Sequence, residues 1–166
     1  MKGKHQLTRH IEINATPEEV WSVVADSSLL PEWAPPVQGI SEISDGPEGV
    51  GTTRVCEVNF AGRPGRMTER CVEFEPPHRA GYVVAEDDLG FGKMFADYGF
   101  TVTIEEGASG SSIARTNTYY TPRNPLYGLM NALMMRRQFA STVDGLLAGL
   151  KSSSEKRAVP TEPRPT

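Results

Sequence analysis

Residues 11–21, with the sequence IEINATPEEVW, place a β-strand directly before a capped helix. Apolar and polar side chains alternate over residues 6–14, which is the period-2 pattern of a half-buried strand. In the stretch that follows, Thr16 can accept from free backbone amides, Pro17 suits the first helical position, and Glu19 completes a capping box. We therefore predict a strand that ends near Asn14 and a helix that begins near Pro17.

The segment after this helix is rich in prolines and then changes its period. A second short helical turn is predicted around 29–33, because Pro31, Pro35 and Pro36 prevent a longer helix. Beyond it, turn signals rich in glycine and proline separate short alternating segments, and each turn is short enough to join antiparallel neighbours. The predicted strands are 37–44, 51–60, 66–75, 80–87, 97–106 and 111–121.

The last predicted element is a long helix, which Asn124 and Pro125 can begin. Its apolar residues recur at helical spacing, namely Leu126, Leu129, Leu133, Ala140, Val143, Leu147 and Leu150. A helix of about 25 residues would be roughly 38 Å long. Residues 151–166 are rich in serine, proline and charge, so we predict one domain over 1–150 and a disordered tail over 151–166.

The order of the elements is strand, two short helices, six strands and a long helix, which describes an α+β domain. We predict a seven-stranded curved antiparallel sheet wrapped around the C-terminal helix. A strongly curved sheet and a helix need not meet everywhere, so a cavity between them is the expected place for a ligand.

The composition excludes several classes of protein. Only 38% of the residues are hydrophobic, and no apolar run approaches the ~18 residues of a membrane-spanning helix. The net charge of -4 gives no basic excess for binding a phosphate backbone, so nucleic acid is not an expected partner. The first residues lead into a polar alternating segment rather than the apolar core of a secretory signal, and we expect a cytoplasmic protein.

No motif for metal, nucleotide or nucleophilic chemistry is present, and we expect neither a metal nor a cofactor. The histidines, His5, His10 and His78, stand at a terminus, on the polar face of a strand and in a proline turn. Such isolated positions favour surface histidines over a shared metal site. Cys56 and Cys71 lie in predicted strands, and we interpret them as buried free thiols.

Four segments combine into a recognisable pattern: residues 11–21 (IEINATPEEVW), 30–37 (LPEWAPPV), 49–52 (GVGT) and 72–77 (VEFEPP). Together they resemble the START-like (SRPBCC) superfamily, and within it the polyketide cyclase/dehydrase and lipid-transport branch. The resemblance covers roughly residues 5–150. It implies a helix-grip fold that holds a hydrophobic or amphipathic small molecule between the sheet and the C-terminal helix, in members that range from aromatase/cyclases to carriers and sensors.

The strand over 111–121 is polar on both faces, although a core strand would be apolar on one of them. One face carries Ala114, Thr116, Thr118 and Tyr120, and the other carries Ile113, Arg115, Asn117 and Tyr119. The register of the resembling family favours the first face as inward, where small hydroxyl groups would leave space and offer hydrogen bonds to a ligand or to water. The alternative is a solvated outer strand.

The hairpin over 51–75 leaves its register open. One face carries Arg54, Cys56, Val58, Arg70, Val72 and Phe74, and the other carries Val55, Glu57, Met67, Glu69, Cys71 and Glu73. The first face is more apolar and is favoured as inward, which would bring both arginines to the cavity and predict a ligand carboxylate, phenolate or carbonyl. In the alternative, both arginines lie at the rim or pair with Glu57 and Glu69 outside.

Further candidate ligand contacts come from the aromatic and methionine side chains. Tyr98 and Phe100 lie on the apolar face of the strand over 97–106. The glycine-flanked loop before that strand carries Phe91, Met94 and Phe95, which suit either a lid over the cavity or ordinary anchoring of the loop. The remaining candidates are Trp33 in the second short helix and Met130 and Met134 in the long helix. An exposed remainder of that helix could also form a homodimer or a membrane-surface contact.

The function that these features favour is binding of a hydrophobic or aromatic molecule, lipid or polyketide-like, as a carrier or sensor. One alternative is a polyketide aromatase/cyclase or dehydratase, in which Arg70 would hold an enolate or carboxylate oxygen and Tyr98 or Tyr120 would donate a proton. Another is a protein-interaction or membrane-surface adaptor.

Overall fold

The computed structural model describes residues 1–158 and confirms the predicted α+β fold. Its strands are β1 (His5–Ile13), β2 (Val37–Ile43), β3 (Thr53–Phe60), β4 (Arg63–Glu75), β5 (Arg79–Asp87), β6 (Phe95–Glu106) and β7 (Ser112–Pro122). Within the described residues these seven strands form one antiparallel sheet in the order β1-β7-β6-β5-β4-β3-β2. The chain thus runs as a meander from β2 to β7, and β1 joins at the β7 edge.

Two short helices, α1 (Pro17–Val24) and α2 (Leu30–Trp33), connect β1 to β2, with a 3₁₀ turn between them. The predicted capping box of α1 is present. The Glu19 amide donates to Thr16 Oγ1 at 3.3 Å, and the Thr16 amide donates to Glu19 Oε2 at 2.8 Å. These bonds satisfy two backbone amides at the helix terminus, so the turn from strand to helix is fixed locally.

The hairpin between β3 and β4 is tighter than the sequence indicates. Its loop is only two residues, Ala61 and Gly62, both with positive φ (52° and 82°), and Phe60 pairs directly with Arg63. Such a loop matches the right-handed twist of the flanking strands. It sets Arg54 opposite Glu69, so these two side chains share one face of the sheet.

The C-terminal helical region begins where it was predicted, with Asn124 Oδ1 accepting from the Tyr127 amide at 2.9 Å. It consists of α4 (Pro125–Met130), a π-helical turn (Asn131–Met135) and α5 (Arg136–Ala158), while α3 (Phe91–Met94) is a single turn before β6. Helix α5 continues past the predicted domain boundary, and Ser154 is fully buried. Disorder therefore does not begin at residue 151 as predicted, and residues 159–166 lie outside the described part.

Helix α5 packs against β1, α1 and α2, and its buried side chains face the concave side of the sheet. Those side chains are Phe139, Val143, Leu147, Leu150 and Ser154. None of the helices in residues 1–158 is both long enough and apolar enough to cross a lipid bilayer. The core therefore lies between α5 and the sheet. In a helix-grip fold, this is also the layer in which a ligand cavity is expected.

Candidate ligand cavity

A cavity of about 100 Å³ lies between the sheet and α5, with α2 on its wall. Its lining is mostly apolar, and α5 contributes Phe139, Val143 and Leu147 among others. An engineered cavity of ~150 Å³ holds benzene, whereas pockets for drug-sized ligands are roughly 300–1,000 Å³. The cavity therefore suits a compact molecule, and a larger one requires movement of the wall.

A buried ion pair forms a polar part of the cavity wall. Arg54 Nε and Nη2 both donate to Glu69 Oε2, at 2.9 and 2.8 Å, and Arg54 Nη1 donates to Ser27 Oγ at 3.2 Å. The side chain of Arg54 is only 4% exposed and that of Glu69 is 12% exposed. Because they lie opposite each other on β3 and β4, the register of the hairpin brings the two charges together.

The ring of Tyr82 lies beneath the guanidinium of Arg54, with 4.0 Å between Cζ and the ring centroid. Burial works against the charge of Arg54, but the contributions of its neighbours, of which the carboxylate of Glu69 is the largest, together raise the arginine pKa. Burial also raises the pKa of Tyr82 to about 12. At neutral pH this wall therefore carries a positive and a negative charge that neutralise each other, beside an uncharged phenol.

Three polar atoms of the cavity wall have no hydrogen-bond partner among the described residues: Trp33 Nε1, Tyr82 Oη and Thr118 Oγ1. Their residues are 8%, 3% and 2% exposed. A buried polar group without a partner costs roughly 1–3 kcal/mol. Since the indole N–H can only donate, it requires an acceptor, from a ligand or from water.

The structure places six of the predicted ligand contacts on the cavity wall. They are Trp33, Arg54, Tyr98, Phe100, Thr116 and Thr118. The inward face predicted for the strand over 111–121 is confirmed, since Ala114, Thr116, Thr118 and Tyr120 are all buried on β7. Whether the wall residues bind a ligand stays a prediction.

Arg70 does not face the cavity, and this part of the predicted hairpin register is wrong. Residues opposite each other in an antiparallel pair share a face, so Arg54 is accompanied by Glu69 and not by Arg70. Arg70 is exposed on the other face of the sheet and borders a groove with Lys2 and Val72. It therefore cannot stabilise an anion in the cavity.

Phe95 and Tyr120 do not line the cavity, because they fill the neighbouring part of the core. Their rings lie 4.6 Å apart, and Tyr120 lies 5.3 Å from the ring of Phe139. The hydroxyl of Tyr120 donates to Asn131 Oδ1 at 2.6 Å. Burial raises the pKa of Tyr120 to about 12.

The methionines predicted to line the cavity lie elsewhere. Met94 borders a separate groove beside α3 and α5, Met130 is half-buried outside the cavity, and Met134 is 60% exposed. The reason is geometric: of the C-terminal helical region, only α5 lines the cavity, and its wall residues begin at Phe139. The segment from Pro125 to Met135 lies beyond the cavity.

Sequence reasoning missed Glu69, Tyr82 and Phe139 as wall residues. The signal for Phe139 was available, because it stands four residues before Val143 and eight before Leu147 on one helical stripe. Glu69 could have been found only by assuming a two-residue hairpin loop.

The thiols of Cys56 and Cys71 are free and buried, as predicted. The thiol of Cys56 lies 3.9 Å from Glu69 Oε2, and burial together with that carboxylate raises its pKa to about 12. A thiol with a raised pKa is a weak nucleophile at neutral pH. Residues 1–158 contain no group of three or more His, Cys, Asp or Glu side chains that could hold a metal ion.

A family model described as "Polyketide cyclase / dehydrase and lipid transport" matches residues 4–155. The chain belongs to this family. The match confirms the resemblance seen in the four sequence segments, and its description covers both catalytic and carrier proteins. No curated protein matches the chain.

Solved structures share the fold of this chain at low sequence identity. A START superfamily protein from Mycobacterium smegmatis is 16% identical, with 92% of this chain and 98% of that chain covered and a TM-score of 0.72. Major latex-like protein 151 from Panax ginseng is 13% identical, with 93% and 97% covered and a TM-score of 0.73.

Norcoclaurine synthase from Thalictrum flavum, solved in complex with dopamine and hydroxybenzaldehyde, is 18% identical. The match covers 86% of this chain and 83% of the synthase, with a TM-score of 0.64. At such identities the likeness extends to the fold alone. The chemistry of this family member must therefore be inferred from its own cavity.

Proposed function

We propose that the protein binds a compact, uncharged aromatic or hydrophobic molecule in the cavity, as a carrier or sensor. The observation that carries this proposal is the set of polar atoms without a hydrogen-bond partner on a mostly apolar wall, above all Trp33 Nε1. A ligand with an apolar body and one hydrogen-bond acceptor would satisfy the indole N–H and fill the space beside it.

The charges on the wall argue for an uncharged ligand. Arg54 is the cation on the wall that could hold a ligand carboxylate. Its Nε and Nη2 atoms already donate to Glu69 Oε2, so it is paired within the protein. A second anion would have to compete with Glu69 and would lose its hydration on entry. The hairpin register therefore favours a carbonyl over the carboxylate or phenolate that the sequence also allowed.

Polyketide cyclase or dehydratase chemistry is the alternative, and the geometry favours it less. Arg70 lies outside the cavity, and burial raises the pKa of Tyr98. A general acid is most effective when its pKa lies near the working pH, so a tyrosine shifted upward is a poor proton donor. Turnover of an aromatic polyketide substrate by the purified protein would reverse this preference.

The proposal can be tested with three single-ring compounds of similar size: toluene, acetophenone and benzoate. Toluene has no acceptor, acetophenone has a neutral acceptor, and benzoate has a charged one. We expect thermal stabilisation to be largest with acetophenone, since one hydrogen bond contributes about 0.5–1.5 kcal/mol, or roughly twofold to tenfold in affinity. Strongest binding of benzoate, or no stabilisation by any of the three, would overturn the proposal.

Tryptophan fluorescence offers a second measurement with an internal control. Trp33 lies on the cavity wall, whereas Trp21 packs against Phe74 with 5.1 Å between ring centroids and is not part of the wall. In Trp21→Phe the remaining signal should respond to acetophenone, and in Trp33→Phe it should not. Trp33→Phe should also remove the preference of acetophenone over toluene, because it keeps an aromatic ring but lacks the N–H.

A further inference from the structure

The helical segment Pro125–Met135 is inverted relative to an ordinary surface helix. Four of its apolar side chains, Leu126, Leu129, Leu133 and Met134, are 57–67% exposed, and we call them the apolar stripe. The one side chain of the segment that is buried is polar: Asn131, which accepts from Tyr120 Oη and donates to Gln6 Oε1 at 3.4 Å.

This inversion fixes which way the segment faces. An amphipathic helix on a globular protein normally turns its apolar side chains to the core. Here the hydrogen bonds of Asn131 anchor that residue in the core, and the apolar stripe points outward. Contiguous exposed apolar side chains on one helix are typical of an interaction surface.

The charges around the apolar stripe are positive. Arg123 precedes the segment, Arg136 and Arg137 form its continuation, and all three are exposed. Residues 107–143 contain four arginines and no acidic residue, in a chain whose net charge is -4. Among the described residues, Arg136 and Arg137 make no ion pair. The segment thus carries an apolar stripe with arginines at both ends, in an otherwise acidic protein.

We propose that the apolar stripe docks the protein on the surface of an anionic lipid bilayer. An interfacial helix inserts its apolar side chains at the boundary of headgroups and acyl chains, while nearby basic residues attract the anionic headgroups. A second copy of the chain is a poorer match. A symmetric contact through the stripe would bring Arg136 and Arg137 of one copy toward those of the other, and four side chains fall far short of the roughly 20–30 residues per side of a standard interface.

The experiment is co-sedimentation of the full chain with vesicles of pure phosphatidylcholine and of phosphatidylcholine mixed with phosphatidylglycerol. We expect binding to the anionic vesicles only, and weaker binding as salt is raised. Arg136→Gln combined with Arg137→Gln should weaken it by about fivefold for each charge removed. Leu129→Ser combined with Leu133→Ser should abolish it. Both positions are exposed, so the fold should be retained, which circular dichroism checks.

Val50→Ser is the matched control, because Val50 is 69% exposed in a turn far along the chain from the stripe. It should bind vesicles as the unchanged protein does. Trp33→Phe should also bind vesicles normally, because Trp33 belongs to the cavity and not to the stripe, so failure of the ligand proposal and failure of the vesicle proposal can be told apart. The proposal is overturned if no vesicle is bound, or if binding survives loss of the two leucines. It is equally overturned if sedimentation velocity reveals a dimer that the leucine variant dissociates, since the homodimer predicted through this helix would then cover the stripe.

Discussion

At the scale of single residues, the Arg54–Glu69 pair is a buried ion pair of the cavity wall. Removing one partner of a buried ion pair leaves an unpaired charge and typically costs about 3–5 kcal/mol. We expect Glu69→Leu to lower the free energy of unfolding by this amount in urea denaturation. The double variant Arg54→Met with Glu69→Leu should recover most of the loss, because neither charge then remains.

An exposed pair elsewhere on the same hairpin provides the control. Arg66 Nη2 and Glu57 Oε1 are 3.7 Å apart, with side chains 66% and 49% exposed. Solvent screens such a pair, so Glu57→Gln should cost less than about 1 kcal/mol. If the Glu69 variant were no less stable than the Glu57 variant, burial would not be what makes the first pair important.

The same pair explains why the sequence predicted the strands of the hairpin but not the identity of its inward residues. Alternation defines two faces within each strand, and only the loop length says which faces of the two strands coincide. The predicted strands 51–60 and 66–75 leave a loop of about five residues between them, which puts Arg54 and Arg70 on one face. The observed loop has two residues, Ala61 and Gly62, and so shifts the pairing of the strands by an odd number of residues. Glu69 then lies opposite Arg54, and Arg70 is on the other face.

At the scale of elements, the contact between α5 and α2 fixes the end of the cavity that carries Trp33. A Cβ atom at Gly149 would overlap the carbonyl oxygen of Trp33, whereas one at Gly145 would have Pro35 Cγ at 3.9 Å as its nearest neighbour. Both glycines lie inside the same helix, where alanine is ordinarily better by up to about 1 kcal/mol. Their substitution by alanine should therefore have opposite signs.

We expect Gly149→Ala to lower the free energy of unfolding by about 1–3 kcal/mol, because the helix must move away from the backbone of α2. Gly145→Ala should leave stability unchanged or raise it. Thermal melts of the two variants measure the difference, and acetophenone binding should weaken only in the first. Equal stabilisation by both alanines would mean that α2 is not held against α5.

The C-terminal helical region marks another limit of sequence reasoning. Its capping residues and its stripe from Val143 to Leu150 could be identified, because caps and helical spacing are local signals. The π-helical turn could not, since no local signal of this kind marks it. It begins at Asn131, which accepts a hydrogen bond from Tyr120 on β7. The spacing alone therefore predicts Met130 and Met134 as cavity contacts, although Met130 is half-buried outside the cavity and Met134 is exposed.

At the scale of the whole molecule, the buried tyrosines and the Cys56 thiol make the free energy of unfolding depend on pH in the alkaline range. Burial raises the pKa of Tyr82, Tyr98 and Tyr120, and it raises that of the Cys56 thiol as well. Each group holds its proton more tightly in the folded state than in the unfolded chain. Above the unfolded pKa the unfolded chain binds fewer protons than the folded one, so the free energy of unfolding falls as pH rises.

The contribution of the tyrosines is complete below about pH 9 and is lost as pH rises from about 10 toward 12, the range between the ordinary tyrosine pKa and the values of Tyr82 and Tyr120. The contribution of Cys56 begins to be lost about one pH unit lower, because an unfolded thiol has a lower pKa than a phenol. One pKa unit corresponds to about 1.4 kcal/mol, so the loss amounts to a few kcal/mol for each buried phenol. Urea midpoints measured across this range should fall steeply, and tyrosinate absorbance from the three buried rings should appear only as the protein unfolds.

Tyr82→Phe tests whether the core itself is responsible for this pH dependence. The variant lacks one of the buried acids, so its stability should fall less steeply with pH, by about one proton per molecule unfolded. It also removes a hydroxyl that has no partner among the described residues, so stability at neutral pH should be unchanged or higher. Titration of tyrosine in the folded protein, before any loss of structure, would contradict the assignment, because it would mean that water reaches the phenols without unfolding.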